Sequence, residues 1–573
     1  MKILLTAINA KYIHSNLAIY SLRACAGENK NKIQLAEFTI NNQKDYILQQ
    51  IYRSKPDVLC FSCYIWNIDY VESIAREFHK LCPQVPIWVG GPEVSYEVEA
   101  FLWQHPEITG VMIGEGEDTF RELCQYYARD GKMPQIDSLD SIRGLAFRKE
   151  DRVAFTPARE IMDMSKIPFC YDTMEDFSNR IIYYESSRGC PFSCSYCLSS
   201  VDKTLRFRSL ELVKQELKFF IDQKVPQIKF VDRTFNCNHQ HAMSIWRFIK
   251  ENDNGITNFH FEVSADLLRE DELLLIEGMR PGLIQLEIGV QSTNPTTIQE
   301  IHRTMKLEPL KSIVRRIRAG ENVHQHLDLI AGLPYEGYDS FRKSFDEIYE
   351  LKPNQLQLGF LKVLKGSYMY NHAKEYGIVY HDGPPYEVLK SRWLSFEEVL
   401  GIKQVEEMLE VYYNSGQYEV TMKLLDAYYD SAFDMFQRLG EFYEMQGYFG
   451  MNHSRIKRCE ILLEFLRQEL EPGLIGMMEE ALLFDLYYRE NCKSRPSWAH
   501  SDPLQKQMTH RYCEKGKLSH VEPFHYCFPQ KKEISIQRLP EYQEKKQWVL
   551  FHYDRRDPLD NQAFTEYVKE IEC

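Results

Sequence analysis

Apolar residues in the first 130 or so positions fall in short runs, at 2–7, 33–38, 57–62, 85–90 and 110–114, set apart by longer amphipathic stretches. Runs this short and this apolar predict strands covered on both faces, the condition under which parallel sheets form. Over 68–81 the apolar positions recur every three or four residues instead, which predicts a helix lying on the sheet. Strands alternating with helices predict a doubly wound sheet, whose ligands bind beyond the carboxyl ends of its strands. Those ends carry 9–15, 63–67, Gly90-Gly91-Pro92-Glu93 and Gly114-Glu115-Gly116-Glu117.

The polar turn Lys149-Glu150-Asp151 predicts a hairpin between 144–148 and 152–156, inside a connector. A second alternating series follows, with strands expected at 180–186, 227–232, 258–264, 283–290, 324–330 and 355–361 and helices at 210–223, 241–251 and 338–351. Six such units make a partial barrel with its working loops at the carboxyl ends of the strands. From 376 onward the alternation stops, and long periodic runs at 395–413 and 420–443 predict helices, with one late strand at 548–553. The expected fold class is α/β: a Rossmann-like doubly wound parallel sheet over 1–135, a connector with a hairpin over 136–178, a partial (β/α)6 barrel over 179–375, and a mainly helical region over 376–573.

Hydrophobic residues make up 44% and aromatics 13%, enough to build these cores. A net charge of -14 argues against a basic surface that tracks phosphates, so nucleic acid is not an expected partner, and Arg315, Arg316 and Arg318 read as a solvated helix face. The chain opens directly on a strand-like run without a secretory pattern, and no apolar run reaches membrane-spanning length, so the expected location is cytoplasmic, with no membrane partner. In a reducing compartment the 15 cysteines point to metal or redox roles wherever they cluster, while scattered ones such as Cys25, Cys82 and Cys459 read as buried thiols.

One cluster stands out. The first barrel strand leads into Arg188-Gly189-Cys190-Pro191-Phe192-Ser193-Cys194-Ser195-Tyr196-Cys197, a C-x3-C-x2-C spacing on a loop. Three thiolates within eight residues can wrap one face of a cubane cluster and leave its fourth iron open. Zinc would want a fourth ligand at finger-like spacing, and no such partner lies nearby in sequence, although Cys170, Cys237 and His239 could be argued for the role.

This spacing, with Tyr196 before the last cysteine, resembles the signature of the radical S-adenosylmethionine (SAM) superfamily. The resemblance implies a 4Fe-4S cluster on Cys190, Cys194 and Cys197, whose open iron chelates the amino and carboxylate groups of SAM, with Tyr196 near the adenine. It covers roughly 180–367 and extends to strand-end positions Asp232, Ser264 with Asp266, Glu287, Gln291, Gly332 and Pro334. Ser264 and Gln291 are implied contacts to the SAM ribose or carboxylate, and Gly332 and Pro334 are implied walls of the adenine pocket. Barrel packing and tight turns would equally place such residues there. Glu287 and Asp328 are the barrel-mouth candidates for proton transfer.

Gly90 and Gly91 at one strand end, with Gly114 and Gly116 at another, resemble the cobalamin-binding domain that precedes many radical SAM barrels. The G-x-G-x-x-G fingerprint of a dinucleotide site is absent after the first strand. The D-x-H-x-x-G motif that supplies a lower cobalt ligand is also absent, and His14 and His79 do not fit it, so a corrin is expected to bind without that histidine. The resemblance implies an enzyme that methylates an unactivated carbon of a small molecule or peptide, fed with electrons by a flavodoxin or ferredoxin. A cobalamin-using cyclisation or rearrangement is the alternative. A methylthiotransferase is a further one, although Cys25, Cys60, Cys63 and Cys82 do not match the additional cluster of those enzymes. The last 200 or so residues resemble an uncharacterised domain; Tyr429, Phe433, Phe436 and Tyr443 read as its core, and Cys492, Cys513 and Cys527 with His520 and His525 match no compact metal motif.

Overall fold

The computed structural model describes residues 1–128, 138–172, 174, 177, 179–492, 494–513, 518–528 and 538–570. The chain divides into two compact units, one of 1–285, 299–305 and 361–391 and the other of 286–298, 306–360 and 392–573.

The first unit opens with β1 (Ile3–Asn9), β2 (Ile33–Thr39), β3 (Val58–Ser62), β4 (Ile87–Gly90) and β5 (Gly110–Met112), extended by the hairpin β6 (Leu145–Lys149) and β7 (Arg152–Phe155). They form one sheet in the order β2-β1-β3-β4-β5-β6-β7, parallel up to β5 and antiparallel beyond. Every residue of β1 and of β3 is buried, as a sheet covered on both faces requires. The helix Ile68–Leu81 turns Ile68, Val71, Ile74, Ala75 and Phe78 inward at the spacing its sequence announces, against a core that includes Leu59, Phe61 and Val89. Removing a ring buried like that of Phe78 costs about 3–5 kcal/mol. The hairpin assigned to the connector is part of this sheet, because Leu145, Ala146 and Phe147 are buried and Val111 pairs with Ala146. That part of the connector therefore belongs to the first layer.

The same unit holds the start of the second series, β8 (Ile182–Tyr184), β11 (Gln227–Phe230) and β12 (Asn258–Val263), in parallel register through Ile182, Ile228 and Phe259. Between β8 and β11 a two-stranded antiparallel stem, β9 (Ser187–Arg188) and β10 (Arg206–Phe207), closes off the cysteine loop.

The second unit takes up β13 (Ile284–Gln291) from Leu286, then β14 (His324–Ala331) and β15 (Gln355–Phe360), with the helices Leu307–Ala319 and Tyr338–Tyr349 between them. Along the chain this completes the six strand–helix repeats of a partial (β/α)6 barrel. A short pair, β16 (Val379–Tyr380) and β17 (Val388–Lys390), follows in the first unit. Five helices between Phe396 and Arg489 and the helix Gln505–Tyr512 then make the mainly helical region.

That region ends in a three-stranded antiparallel sheet, β18 (Ser519–Tyr526), β19 (Tyr542–Arg556) and β20 (Ala563–Val568), where one late strand was expected. Its small core is Trp548, Leu550, Val521 and Met508. β18 escapes a pattern search because His520, Glu522, Pro523 and His525 interrupt its apolar alternation. Glu522 is nonetheless fully buried, paired with Arg495 at 2.5 Å and His520 at 2.9 Å. Among the described residues, no helix is long and apolar enough to cross a membrane.

Candidate functional site

The cysteine loop is pinned along its length. At Gly189 the backbone takes φ +87°, and a Cβ would lie 2.5 Å from the carbonyl oxygen of Thr204, so only glycine fits between the stem and the first cysteine. The Cys190 N–H donates to Asp202 O at 3.2 Å, the Ser195 N–H to Ile301 O at 2.9 Å, and the Met369 N–H to Ser195 O at 2.9 Å. Cys190 and Cys194 are buried and Cys197 is half-buried. Arg303 directs Nη1 to Cys194 Sγ at 3.7 Å and to the Tyr196 hydroxyl at 3.3 Å. Burial pushes the Cys194 thiol up while the Arg303 charge pulls it back toward the thiolate. Three soft sulfur ligands on one anchored loop beside a compensating cation suit an iron–sulfur cluster.

Asp232 braces this loop from behind. It is wholly buried; its Oδ2 accepts from the Ser186 N–H at 3.0 Å, and its Oδ1 accepts from the hydroxyls of Ser186 at 2.6 Å and Ser187 at 2.5 Å. Burial raises its pKa to about 6 against the pull of those donors. Burial lowers His241 to about 4, so its neutral ring meets the Ser186 hydroxyl through Nε2 at 3.0 Å. Thr234 sets its hydroxyl 3.7 Å from Cys190 Sγ. Ser264 is anchored by Asn236 through both backbone groups, and its hydroxyl donates to Asp266 at 2.7 Å.

Four of the strand-end positions that the resemblance picks out for the cofactor lie in the second unit. Glu287 is half-buried within β13, and Gln291 ends that strand at φ +74° with its amide oxygen buried and without a hydrogen-bond partner among the described residues. Gly332, at φ +88°, and Pro334 follow β14 and are buried. Just beyond them the buried Glu336 accepts from Ser292 at 2.7 Å and Ser344 at 3.0 Å, and burial raises its pKa to about 7. Sequence reading passed over Glu336 and Arg303 because nothing in their local spacing names their partners.

A cavity of about 670 Å³ opens where the strands of the first sheet end. Gly90, Gly91, Gly114 and Gly116 line it, with Tyr64 and Trp66 from the segment after β3. Gly91 is required by its fold: φ is +122°, and a Cβ there would meet Cys63 O at 2.4 Å. Tyr64 and Trp66 stack at 4.5 Å and 5°. The stem of the cysteine loop, through Arg188 and Gly189, forms part of the same wall. A broad cavity with glycine backbone on one side and flat aromatic rings nearby fits a large planar macrocycle.

Arg188 ties the two sets of loops together. Its guanidinium reaches Glu115 at 3.0 Å, Glu117 at 2.5 Å and Glu185 at 2.8 Å, and Arg206 reaches Glu115 at 2.5 Å while also pairing with Asp202. Although burial opposes it, these cations hold Glu115 below the usual carboxylate range. The sequence singled out the glycines of Gly114-Glu115-Gly116-Glu117; the structure shows that its two glutamates secure the loop.

Three family models match the chain: B12 binding domain over 3–124, Radical SAM superfamily over 184–348, and Protein of unknown function (DUF4080) over 374–551. Among curated proteins, the chain is similar to 2-(S-pantetheinyl)-carbapenam-3-carboxylate methyltransferase of Streptantibioticus cattleyicolor, 26% identical over 52% of this chain and 45% of that one. It is also similar to hopanoid C-3 methylase of Methylococcus capsulatus, 25% identical over 48% and 53%. The chain thus spans about half the length of these relatives. Its fold is that of the cobalamin-dependent SAM radical enzyme OxsB, solved with aqua-cobalamin and SAM, at TM-score 0.58 and 16% identity over 84% of this chain and 78% of that one. The methyltransferase TsrM of Kitasatospora setae, solved with cobalamin and a [4Fe-4S] cluster, matches at TM-score 0.54 and 17% identity over 68% and 82%.

Proposed function

Because the chain is a radical SAM protein with a B12-binding domain ahead of its barrel, we propose that it methylates an unactivated carbon of a small molecule or peptide, using SAM and cobalamin together. The observation that carries this reading is the shared wall: glycines of the B12-binding domain and Gly189 of the cysteine loop line one cavity. When bound, the 4Fe-4S cluster supplies the electron that splits SAM, and cobalamin carries the methyl group.

The residues divide the work. Cys190, Cys194 and Cys197 hold three irons, with Arg303 beside Cys194 offsetting the negative charge of the sulfurs. Gly90, Gly91, Gly114 and Gly116 let backbone approach the corrin, and Arg188 keeps their loop in register with the cysteine loop. Asp232 acts through Ser186 and Ser187, which it fixes at the loop's entry. Tyr196, Ser264, Glu287, Gln291, Gly332 and Pro334 are the proposed SAM contacts. What supports Gln291 is an amide oxygen buried without a donor among the described residues. A flavodoxin or ferredoxin supplies the electron, and the reaction takes place in the cytoplasm.

The test is stoichiometry with product mass. Methylation requires that two SAM be consumed for each methyl delivered and that the product gain one methylene unit. A product of unchanged carbon count contradicts methylation and leaves cyclisation or rearrangement.

A further inference from the structure

The charges lining the cofactor cavity can be matched one by one. Among its carboxylates, Glu117 and Glu185 are held by Arg188, Asp202 by Arg206, and Glu216 by Arg208 at 2.5 Å. His14 also lines the cavity; burial, then Lys11 and Lys229, lower its pKa, and Tyr183 meets its Nδ1 at 2.6 Å, so it enters uncharged. One charge is left over. Arg233 is exposed into the cavity and has no hydrogen bond or ion pair from its guanidinium among the described residues.

Its backbone, by contrast, is tightly placed. On one side Asp232 is wholly buried beneath Ser186 and Ser187; on the other Thr234 stands against Cys190 and donates its hydroxyl to the Arg233 carbonyl at 2.8 Å. The Arg233 charge is also felt at Tyr64, whose hydroxyl burial otherwise pushes up. A guanidinium carried on a fixed loop next to the residue that faces Cys190, and lining a cavity whose acids are all neutralised, is a ready fork for a planar or tetrahedral oxyanion.

We infer that Arg233 is the anion-binding group of this cavity and takes a carboxylate or phosphate of the bound ligands. The inference rests on the cavity being the cofactor site. Three sources share that chemistry: the nucleotide phosphate of cobalamin, the carboxylate of SAM, and an acidic group on the substrate.

Phenylglyoxal labelling of the anaerobically reconstituted full-length protein, read at Arg233 by peptide mass spectrometry, tests the inference without turnover. Protection by cobalamin but not by cobinamide, which lacks the nucleotide, assigns the phosphate of the cofactor. Protection by SAM alone assigns its carboxylate. Labelling that persists with both cofactors bound but is blocked by inorganic phosphate assigns a substrate anion. In each case Arg233→Gln is expected to weaken binding of the protecting probe, measured by direct titration, roughly tenfold and Arg233→Lys to restore part of it, with the thermal transition unchanged because the Arg233 guanidinium makes no hydrogen bond or ion pair among the described residues. Equal labelling of wild-type Arg233 under all probes, or an affinity for the protecting probe that Arg233→Gln leaves unchanged in a direct binding titration, overturns the inference. Wild-type protein that retains no corrin sinks the cofactor reading separately, and the phosphate arm still decides Arg233.

Discussion

The cysteine-loop end of the first unit and the helical part of the second each bury one carboxylate completely, and the two are put to different use. Asp485 accepts from the Val420 N–H at 2.9 Å and from the Thr421 N–H and hydroxyl at 2.8 and 2.7 Å, so it closes the start of the helix Glu419–Tyr428. Asp232 has the same kind of partners, one amide and two hydroxyls, but they belong to the entry of the cysteine loop. One carboxylate closes the start of a helix; the other fixes the entry of the cysteine loop. The surroundings follow suit, since Arg188 and Arg206 knit loops together around the cavity while the helical region relies on packed rings such as Phe433 against Phe345 and Tyr338. Stability and cofactor loading are therefore expected to be separable by mutation.

The sharpest separation is at the cysteines. Alanine at Cys190, Cys194 or Cys197 is expected to abolish iron retention and reduce 5'-deoxyadenosine formation to background, with far-ultraviolet circular dichroism unchanged. Next, Asp485→Ala strands two buried amides and is expected to cost about 3 kcal/mol or more in denaturant melts, leaving iron and corrin loading intact. Asp232→Ala should lose comparable stability but also iron, and a variant that kept full iron would erase the contrast between the two carboxylates. Arg188→Gln is expected to weaken hydroxocobalamin binding roughly tenfold in a spectral titration, with the helical region melting as before.

A smaller effect is set by pH. Burial raises Asp485 from 3.8 to about 7, so the folded state binds its proton more tightly than the unfolded chain does. Its contribution is full below the unfolded value and is lost as pH rises through about 7, by about 1 kcal/mol between pH 6 and 7. Asp485→Asn should flatten that slope, and an unchanged slope would refute the assignment. At the bottom of the scale, Lys80→Ala breaks an exposed pair with Glu77 and should move stability by less than about 0.5 kcal/mol.

The strands and the cysteine loop were legible because local pattern determines them. The all-buried run of β1 and the inward face of the helix Ile68–Leu81 each follow from neighbours in sequence. What escaped depends on distant partners. Arg303 meets Cys194 across 109 residues, Glu115 meets Arg206 across 91, and nothing near either residue announces the meeting. The hairpin at 145–155 is visible in sequence as a hairpin, but its place on the edge of the first sheet depends on pairing with β5 more than thirty residues earlier. β18 stayed hidden because Glu522 is polar in sequence yet buried by Arg495 and His520.

Anaerobic reconstitution with iron, sulfide and hydroxocobalamin, followed by absorption spectra and a SAM-cleavage assay on the wild-type protein and its three cysteine variants, tests the central claim most directly. A cluster, retained corrin and 5'-deoxyadenosine formation that needs Cys190, Cys194 and Cys197 are expected. Iron without corrin, or bound zinc with no SAM cleavage, would contradict it.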